Sequence, residues 1–323
     1  MTPPGHPKQQ HYVPRFLLKE FGSGKKHRLY TYDKQTDRVF QTNPDKVAAE
    51  NGFYDFTLEG STFTAEPAMG SLETATAPVV KRILREESLA SLTDEERRLL
   101  SLFVAVQYTR TRNFRDTLSD LSRRMAEWLR GAGADAEGLE MTEDDAAAMS
   151  VQMALDAHEF APHIYDKAWL LLKNPTATPF YTSDNPVTFQ NLDDFGPYGN
   201  IGLAVPGIEI YLPLGSRLCL SMLCRTREEQ ARDGIRKVEQ LQRTLPQRGR
   251  ELESHALRAR QIVAAFDEGV PLLQDRDNVL NVNSLQVRYS ARYVYSGTDD
   301  FSLVRTMLRD HPRLRTGPRL RVG

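Results

Sequence analysis

The fold class follows from four segments in the second half of the chain: WLLLKN (169–174), PFYTSDNPVTFQN (179–191), IEIYLPLG (208–215) and SRLCLSMLC (216–224). Each segment is rich in β-branched, aromatic or other apolar residues, and Pro, Gly, Asn or Asp separates it from the next. Short apolar runs between such turn residues are typical of paired strands. We therefore predict a mainly antiparallel sheet over about residues 168–224.

The hundred residues before these strands have the periodicity of helices. Three helices are predicted, over residues 64–85, 94–129 and 142–161. Thr93 and Glu96 form a capping-box pattern in front of the second helix, and Thr142 begins the third. The helical part of the protein is thus expected at about residues 64–161.

The N-terminal sixty residues mix both types of structure. Residues 1–10 are polar and rich in proline, so we expect them to be flexible. A short helix is predicted after Pro14. Alternation on both sides of the turn DKQTD (33–37) predicts a β-hairpin over residues 27–42, and residues 51–56 form a further extended segment.

The C-terminal third is again helical. Residues 226–266 are predicted as a charge-rich helical insertion with a break near Pro246. Residues 281–297 are predicted as a helix that Asn283 caps, and residues 311–323 as an arginine-rich tail. Together the patterns predict one α+β domain over residues 11–310, in which a helical first half packs on the sheet and further helices cover it.

Composition excludes several classes of protein. The 323 residues carry 42 Lys and Arg against 43 Asp and Glu, a net charge of −1, so no global attraction to nucleic acid or membrane is expected. There is no apolar run of bilayer length and no apolar leader in residues 1–10. The two cysteines, Cys219 and Cys224, are too few for a disulfide framework or a cysteine-rich zinc site. A cytoplasmic location is expected, and no motif for a nucleotide cofactor is present.

Polar residues interrupt the apolar stripe of the predicted helix 94–129. Gln107 and Arg110 lie among Phe103, Val106 and Phe114 on this stripe, so both need partners in the interior. On the preceding helix, Glu66 and Glu73 share a stripe, and Glu73 is the natural partner of Arg110. The pair either braces the core or lines a pocket. The glutamates also suit metal binding or acid–base chemistry, although Glu66 equally suits the positive end of the helix dipole.

The segment PFYTSDNPV (179–187) places a hydroxyl, a carboxylate and an amide together at a strand end, in Ser183, Asp184 and Asn185. Pro186 keeps Asn185 extended. Such a loop on a rigid strand is a frequent position for functional groups. Ser-Asp-Asn-Pro is also ordinary turn chemistry, in which the aspartate bonds the backbone two residues ahead, so the sequence leaves both interpretations open.

His11 is the histidine that follows a polar run and precedes an aromatic and apolar segment, HYVPRF (11–16). In this position it suits a metal ligand, a general base or a donor to substrate. The alternative is a structural histidine with its hydrogen bonds satisfied inside the protein.

Three of these segments together resemble the DUF4238 family, whose members begin with a Gln-His-Tyr-x-Pro signature and carry a Thr-Ser-Asp-x-Pro turn. They are KQQHYVPRFLLKEF (8–21), FVAVQYTRTRNFR (103–115) and PFYTSDNPV (179–187). NVNSLQVRYSARYVYS (281–296) is similar to the asparagine-rich helix that closes the family. The resemblance spans about residues 8–300 and names no reaction. It implies that the polar residues in the matching segments converge on one pocket: His11, Gln107, Arg110, Ser183, Asp184, Asn185, Asn281 and Asn283.

The first functional hypothesis is a metal-dependent hydrolase of phosphate esters, a nuclease or phosphodiesterase. His11, Glu73 and Asp184 would hold a divalent cation that activates water, and Arg110 would stabilise the developing negative charge. The substrate, a small phosphate ester or nucleic acid, would be held by Gln107, Ser183, Asn185 and Asn283.

The alternative is a non-catalytic binding or sensor module. The same polar cluster would then recognise a small anionic ligand, with Arg110 gripping a carboxylate or phosphate and no metal required. A third interpretation gives Glu73, Arg110 and Asp184 only a bracing role between the helices and the sheet.

Overall fold

The computed structural model describes residues 5–58, 60–193, 201–244 and 249–317. Helices account for 50% and strands for 18% of the structure, so the protein is of the mixed α/β class, consistent with the predicted α+β fold. The helices of the described residues are α1 (Arg15–Lys19), α2 (Glu66–Glu86), α3 (Asp94–Thr109), α4 (Arg112–Gly131), α5 (Glu143–Leu155), α6 (Ala161–Tyr165), α7 (Arg225–Thr244), α8 (Gly249–Glu268), α9 (Arg276–Tyr289) and α10 (Ser302–Asp310). The strands are β1 (Gln9–His11), β2 (Leu29–Asp33), β3 (Arg38–Thr42), β4 (Ala49–Asn51), β5 (Asp55–Leu58), β6 (Ser61–Thr64), β7 (Ala168–Lys173), β8 (Thr182–Ser183), β9 (Thr188–Gln190), β10 (Glu209–Pro213), β11 (Leu218–Leu223), β12 (Leu272–Leu273) and β13 (Tyr293–Ser296).

The largest sheet has five strands in the order β12-β7-β11-β10-β9. Its central pairs are antiparallel, with Leu220 opposite Leu171 and Tyr211 opposite Ser221, whereas β12 runs parallel to β7. Residues on both faces of β7 and β11 are buried, which explains why these segments are continuous apolar runs without alternation. The prediction of a mainly antiparallel sheet over residues 168–224 holds for β7, β9, β10 and β11, whereas β8 belongs to a different sheet.

A second sheet joins the two ends of the chain in the order β3-β2-β13-β8. The predicted hairpin over residues 27–42 is confirmed as β2 and β3. The predicted helix over 281–297 is wrong in its bounds. Helix α9 begins earlier because the side chain of Asp275 caps it by accepting a hydrogen bond from the Asn278 amide, and the following residues form β13. Asn283 therefore lies inside the helix and does not cap it.

The single helix predicted over residues 94–129 is two helices, α3 and α4. The capping box of Thr93 and Glu96 is present at the start of α3. Thr111 then adopts an extended conformation, and its side chain accepts a hydrogen bond from the Phe114 amide, so it starts a new helix. Arg110 ends α3 and lies at this break. The apolar stripe continues across the break, which is why periodicity alone did not reveal it.

The third predicted helix, over 142–161, is also divided. It consists of α5, a turn of 3-10 helix at Asp156–Glu159, and α6. The helical insertion over 226–266 is the pair α7 and α8, and its predicted break at Pro246 lies outside the described residues.

The main hydrophobic core combines elements from the whole length of the chain. It joins α1, α2 and α3 to the buried faces of β7, β10 and β11, and it extends from Tyr12 to Tyr295. Among the described helices, none is both long enough and apolar enough to cross a membrane. The division into one domain over 11–310 stays a prediction.

The described parts of both terminal segments include regular secondary structure. Gln9 and Gln10 belong to β1, whereas residues 1–4 of the expected flexible segment lie outside the described residues. In the arginine-rich tail, Pro312–Arg315 form a 3-10 helix and Arg315 pairs with Asp37 at 2.8 Å. Residues 318–323 of that tail lie outside the described part of the chain.

Candidate functional site

The Gln-His-Tyr-Val-Pro segment is held in place by Gln10. This side chain is completely buried; its amide nitrogen donates to a carboxylate oxygen of Asp55 at 2.9 Å, and its oxygen accepts from the Tyr54 amide at 2.5 Å. The Tyr54 hydroxyl donates to the His11 carbonyl at 2.9 Å. Since side chains alternate along a strand, His11 and Tyr12 then line different clefts.

The His11 cleft is an open cavity of about 590 Å³ between the N-terminal segment and α2. Its walls carry the charged residues Arg15, Lys19, Asp45, Glu66 and Glu73. The other residues that line it are Pro7, Gln9, Phe16, Gly70, Thr74 and Ala77. A volume of this size suits a small-molecule ligand.

The surroundings of His11 favour its neutral form. Burial lowers the pKa of the ring, and the positive charge of Arg15 lowers it further, against the opposing effects of Glu73 and of a hydrogen bond to the Pro44 carbonyl. The Nε2 atom is buried and has no hydrogen-bond partner among the described residues. A buried nitrogen without a partner is uncommon, and in a neutral ring this atom is a hydrogen-bond acceptor that no described residue uses.

Glu66 lines the same cleft from the first turn of α2. It begins α2, as the helix-dipole interpretation expects, yet burial and the negative charge of Glu73 raise the pKa of its carboxyl from 4.5 to about 7. A carboxyl group with a pKa near 7 is half protonated at neutral pH and is suited to general acid–base chemistry. The signal in the sequence was the spacing of Glu66 and Glu73 on one face of a helix.

Glu73 and Arg110 form the ion pair that the sequence predicted. Nη1 of Arg110 lies 2.9 Å from Oε1 of Glu73, while Nε and Nη2 donate to Oε1 of Gln107 at 3.0 and 2.8 Å. Gln107 in turn donates to the Tyr12 carbonyl at 2.9 Å. The Arg110 side chain has no exposed surface, so it contacts no ligand directly and acts on the cleft through Glu73.

Asp184 lies apart from His11 and Glu73. It lines the neighbouring cleft of about 490 Å³ with Tyr12, and its two oxygens accept hydrogen bonds at 2.8 Å from three consecutive backbone amides, those of residues 291–293. Burial raises the pKa of its carboxyl, while these amides and the ammonium group of Lys34 oppose that shift. Lys34 is itself buried and donates to the carbonyls of Val287 and Ser290. Lys34 lies in the turn DKQTD, where a pattern of local residues predicts an exposed side chain.

The other polar residues of the 179–187 segment are engaged in packing against α9. Ser183 donates to Gln286 at 2.8 Å, and the amide nitrogen of Asn185 donates to the Tyr289 carbonyl at 3.1 Å. Asn283 accepts from the Tyr181 amide at 2.8 Å and donates to the Pro179 carbonyl at 2.9 Å. These contacts give Ser183, Asn185 and Asn283 a structural role at the edge of β8.

The residues expected to bind a metal are not assembled as one set. In the part of the chain that the structure describes, no group of three or more His, Cys, Asp and Glu side chains is arranged to hold a metal ion. His11 and Glu73 share a cleft, but Asp184 is directed at backbone amides elsewhere. The donor set of His11, Glu73 and Asp184 therefore does not fit a metal site.

Comparison with known families places most of the chain in one of them. The model of a family described as a protein of unknown function, DUF4238, matches residues 9–300. Among curated proteins and solved structures, none matches the chain.

Proposed function

The chain belongs to the DUF4238 family, and from the geometry of its His11 cleft we propose that it hydrolyses small phosphate esters, with His11 and Glu66 as its acid–base pair. The observation that carries the proposal is the presence in one cleft of a histidine with a buried, unpartnered nitrogen and a carboxyl group whose pKa is about 7. Pairs of titratable groups with such different environments are typical of enzyme active sites.

The reaction assigns one proton transfer to each residue. The Nε2 atom of His11 accepts a proton from water as the water oxygen attacks phosphorus. Glu66, in its protonated form, donates its proton to the alcohol oxygen as the phosphorus–oxygen bond breaks. The products are the alcohol and phosphate, and proton exchange with solvent restores neutral His11 and protonated Glu66. General acid–base catalysis of this kind contributes about 10²–10⁴-fold to a rate.

Two cations in the same cleft are available for the phosphate group. Arg15 and Lys19 line the wall formed by α1. Arg15 pairs with Asp45 at 3.2 Å, but both side chains are more than half exposed, so the pair is weak and opens readily to an anion. The cleft volume suits a small ester better than a nucleic acid duplex, and the net charge of −1 does not favour a polyanion.

Arg110 and Glu73 are positioning residues in this proposal. Because Arg110 keeps Glu73 in place beside Glu66, the negative charge of Glu73 contributes to keeping Glu66 protonated near neutral pH. The proposal contains no step that uses a metal ion.

The test is turnover of p-nitrophenyl phosphate, and of bis-p-nitrophenyl phosphate as a diester, by the purified protein with and without EDTA. His11→Ala and Glu66→Gln are expected to lower kcat at least 100-fold. The matched controls are His163→Ala and Glu229→Gln, both exposed and outside the cleft, and these should keep the wild-type rate. Equal rates for His11→Ala and wild type would contradict the proposal, and loss of turnover in EDTA would restore the metal-dependent version.

A second candidate is a binding module without turnover. It is favoured by the ion pair of Glu73 and Arg110, which is satisfied within the protein and leaves Arg15 and Lys19 as the cations open to a ligand. Saturable binding of phosphate that Arg15→Ala abolishes, with no hydrolysis of either ester, would support this candidate over the enzyme.

A further inference from the structure

One face of α2 forms a wall of the His11 cleft. The residues of this helix that line the cavity are Glu66, Gly70, Glu73, Thr74 and Ala77. Residues separated by four, seven, eight and eleven positions lie on the same side of a helix. At Gly70, which lies between the two glutamates on this wall, the helix backbone is therefore not covered by a side chain.

Gly70 has no structural explanation within the described protein. It lies in the interior of a 21-residue helix, where glycine is disfavoured relative to alanine because it loses more backbone entropy on folding. A Cβ atom at this position would meet nothing within 4 Å, so no neighbouring residue requires its absence. Glycine is also the residue that allows a ligand to approach the backbone closely, and here the space above it is part of a cavity.

Two other features of the same cleft suit the binding of an organic molecule. The Nε2 atom of His11 is buried without a partner. Phe16, whose other contacts include Phe103 at 5.7 Å between ring centroids, also lines the cavity. A flat organic group packs well against a bare helix backbone and against an aromatic ring.

We propose that Gly70 determines the specificity of the cleft for phosphate esters of flat, aromatic alcohols, an inference that rests on the proposed function. The aromatic group lies against the α2 backbone at Gly70, and the phosphate group lies at Arg15 and Lys19. A methyl group at position 70 occupies the space of the aromatic group and leaves the phosphate position free.

The experiment measures binding of phenyl phosphate and of inorganic phosphate to the full chain by calorimetry. Gly70→Ala is expected to raise the Kd of phenyl phosphate at least tenfold and to leave the Kd of inorganic phosphate unchanged. Gly234→Ala is the matched control, because Gly234 is also in a helix interior, has nothing within 4 Å of its would-be Cβ and lies outside the cleft. Both variants should raise the thermal midpoint by about 1–3 °C, which shows that they fold.

Two results would overturn the inference: equal binding of phenyl phosphate by Gly70→Ala and wild type, or wild-type protein that binds phenyl phosphate no more tightly than inorganic phosphate. Hydrolysis is scored separately on the same samples. If Gly70→Ala weakens binding of phenyl phosphate but the wild type hydrolyses no ester, the inference about Gly70 holds and the proposed function is wrong. If wild type and Gly70→Ala hydrolyse phenyl phosphate at the same rate, the proposed function holds and the inference about Gly70 is wrong.

Discussion

Arg110 and Glu73 form an ion pair with unequal access to water. The Arg110 side chain is completely buried, whereas a quarter of the Glu73 side chain is exposed. The two residues come from different helices, 37 positions apart in the chain. Removal of Glu73 therefore leaves a charge with no access to water, whereas removal of Arg110 leaves a charge that is partly exposed.

Glu73→Gln is expected to destabilise the protein by about 3–5 kcal/mol, because it leaves the buried Arg110 charge without a negative charge to neutralise it. Arg110→Met should cost less, about 1–3 kcal/mol, because water can hydrate the partly exposed Glu73 carboxylate. The remaining cost comes from Gln107, whose side-chain oxygen loses its two donors. Urea unfolding of both variants measures the difference. The opposite order of the two free energies would show that Arg110 is not the more dependent partner.

Glu66 should make stability depend on pH. Its folded-state pKa is about 7 and its ordinary value is 4.5, so the folded protein holds this proton more tightly than the unfolded chain does. The contribution is complete below pH 4.5 and is lost as the pH rises to about 7. The free energy of unfolding of wild type minus that of Glu66→Gln should fall by about 1–3 kcal/mol across this window. A difference that stays flat from pH 4.5 to 7.5 would mean that Glu66 ionises normally.

Asp184→Asn is expected to destabilise the protein by about 2–4 kcal/mol, because an amide nitrogen cannot accept the bonds from the backbone of residues 291–293. Binding of phosphate in the His11 cleft should be unchanged in the folded variant. Asp299→Asn, an exposed change, is the control for stability. Loss of phosphate binding without loss of stability would return Asp184 to the functional site.

Asn283→Ala should cost about 2–4 kcal/mol because the Tyr181 amide and the Pro179 carbonyl lose their partner. Asn281→Ala, on the exposed side of the same helix, should be nearly neutral, since that side chain bonds to Gln190 at the surface. Thermal unfolding of the two variants provides the comparison. Similar midpoints would contradict the buried role of Asn283.

Thr111→Ala tests the break between α3 and α4. Loss of the cap is expected to destabilise the protein by about 1 kcal/mol, and Thr111→Ser should restore most of it. In a continuous helix the same change to alanine would be stabilising, because alanine has the higher helix propensity. The sign of the change in the free energy of unfolding therefore distinguishes the two structures.

Local patterns in the sequence were sufficient for much of the fold. The hairpin of β2 and β3 and the strands β7, β10 and β11 follow from alternation, apolar runs and turn residues. The break at Thr111 and the cap at Asp275 were not found, because an apolar stripe runs through the break at Thr111 and because several residues near position 280 are equally good caps.

The candidate site was predictable only where two charges lie on apolar stripes. That condition identified Glu73 and Arg110 as partners. The condition failed for Asp184, because a sequence does not reveal that three backbone amides from the far end of the chain surround it. The unusual pKa of Glu66 likewise depends on burial and on a neighbouring charge, which exist only after folding.

The sheet that joins the ends of the chain has a consequence for synthesis. Strand β2 pairs on one side with β3, only a few residues away, but its other neighbour is β13, and the buried Lys34 bonds to carbonyls more than 250 residues ahead. A ribosome delivers β2 early and β13 near the end of translation. One edge of the N-terminal hairpin therefore stays unpaired during most of elongation. That edge of β2 can pair with β13 only after residues 293–296 have been synthesised.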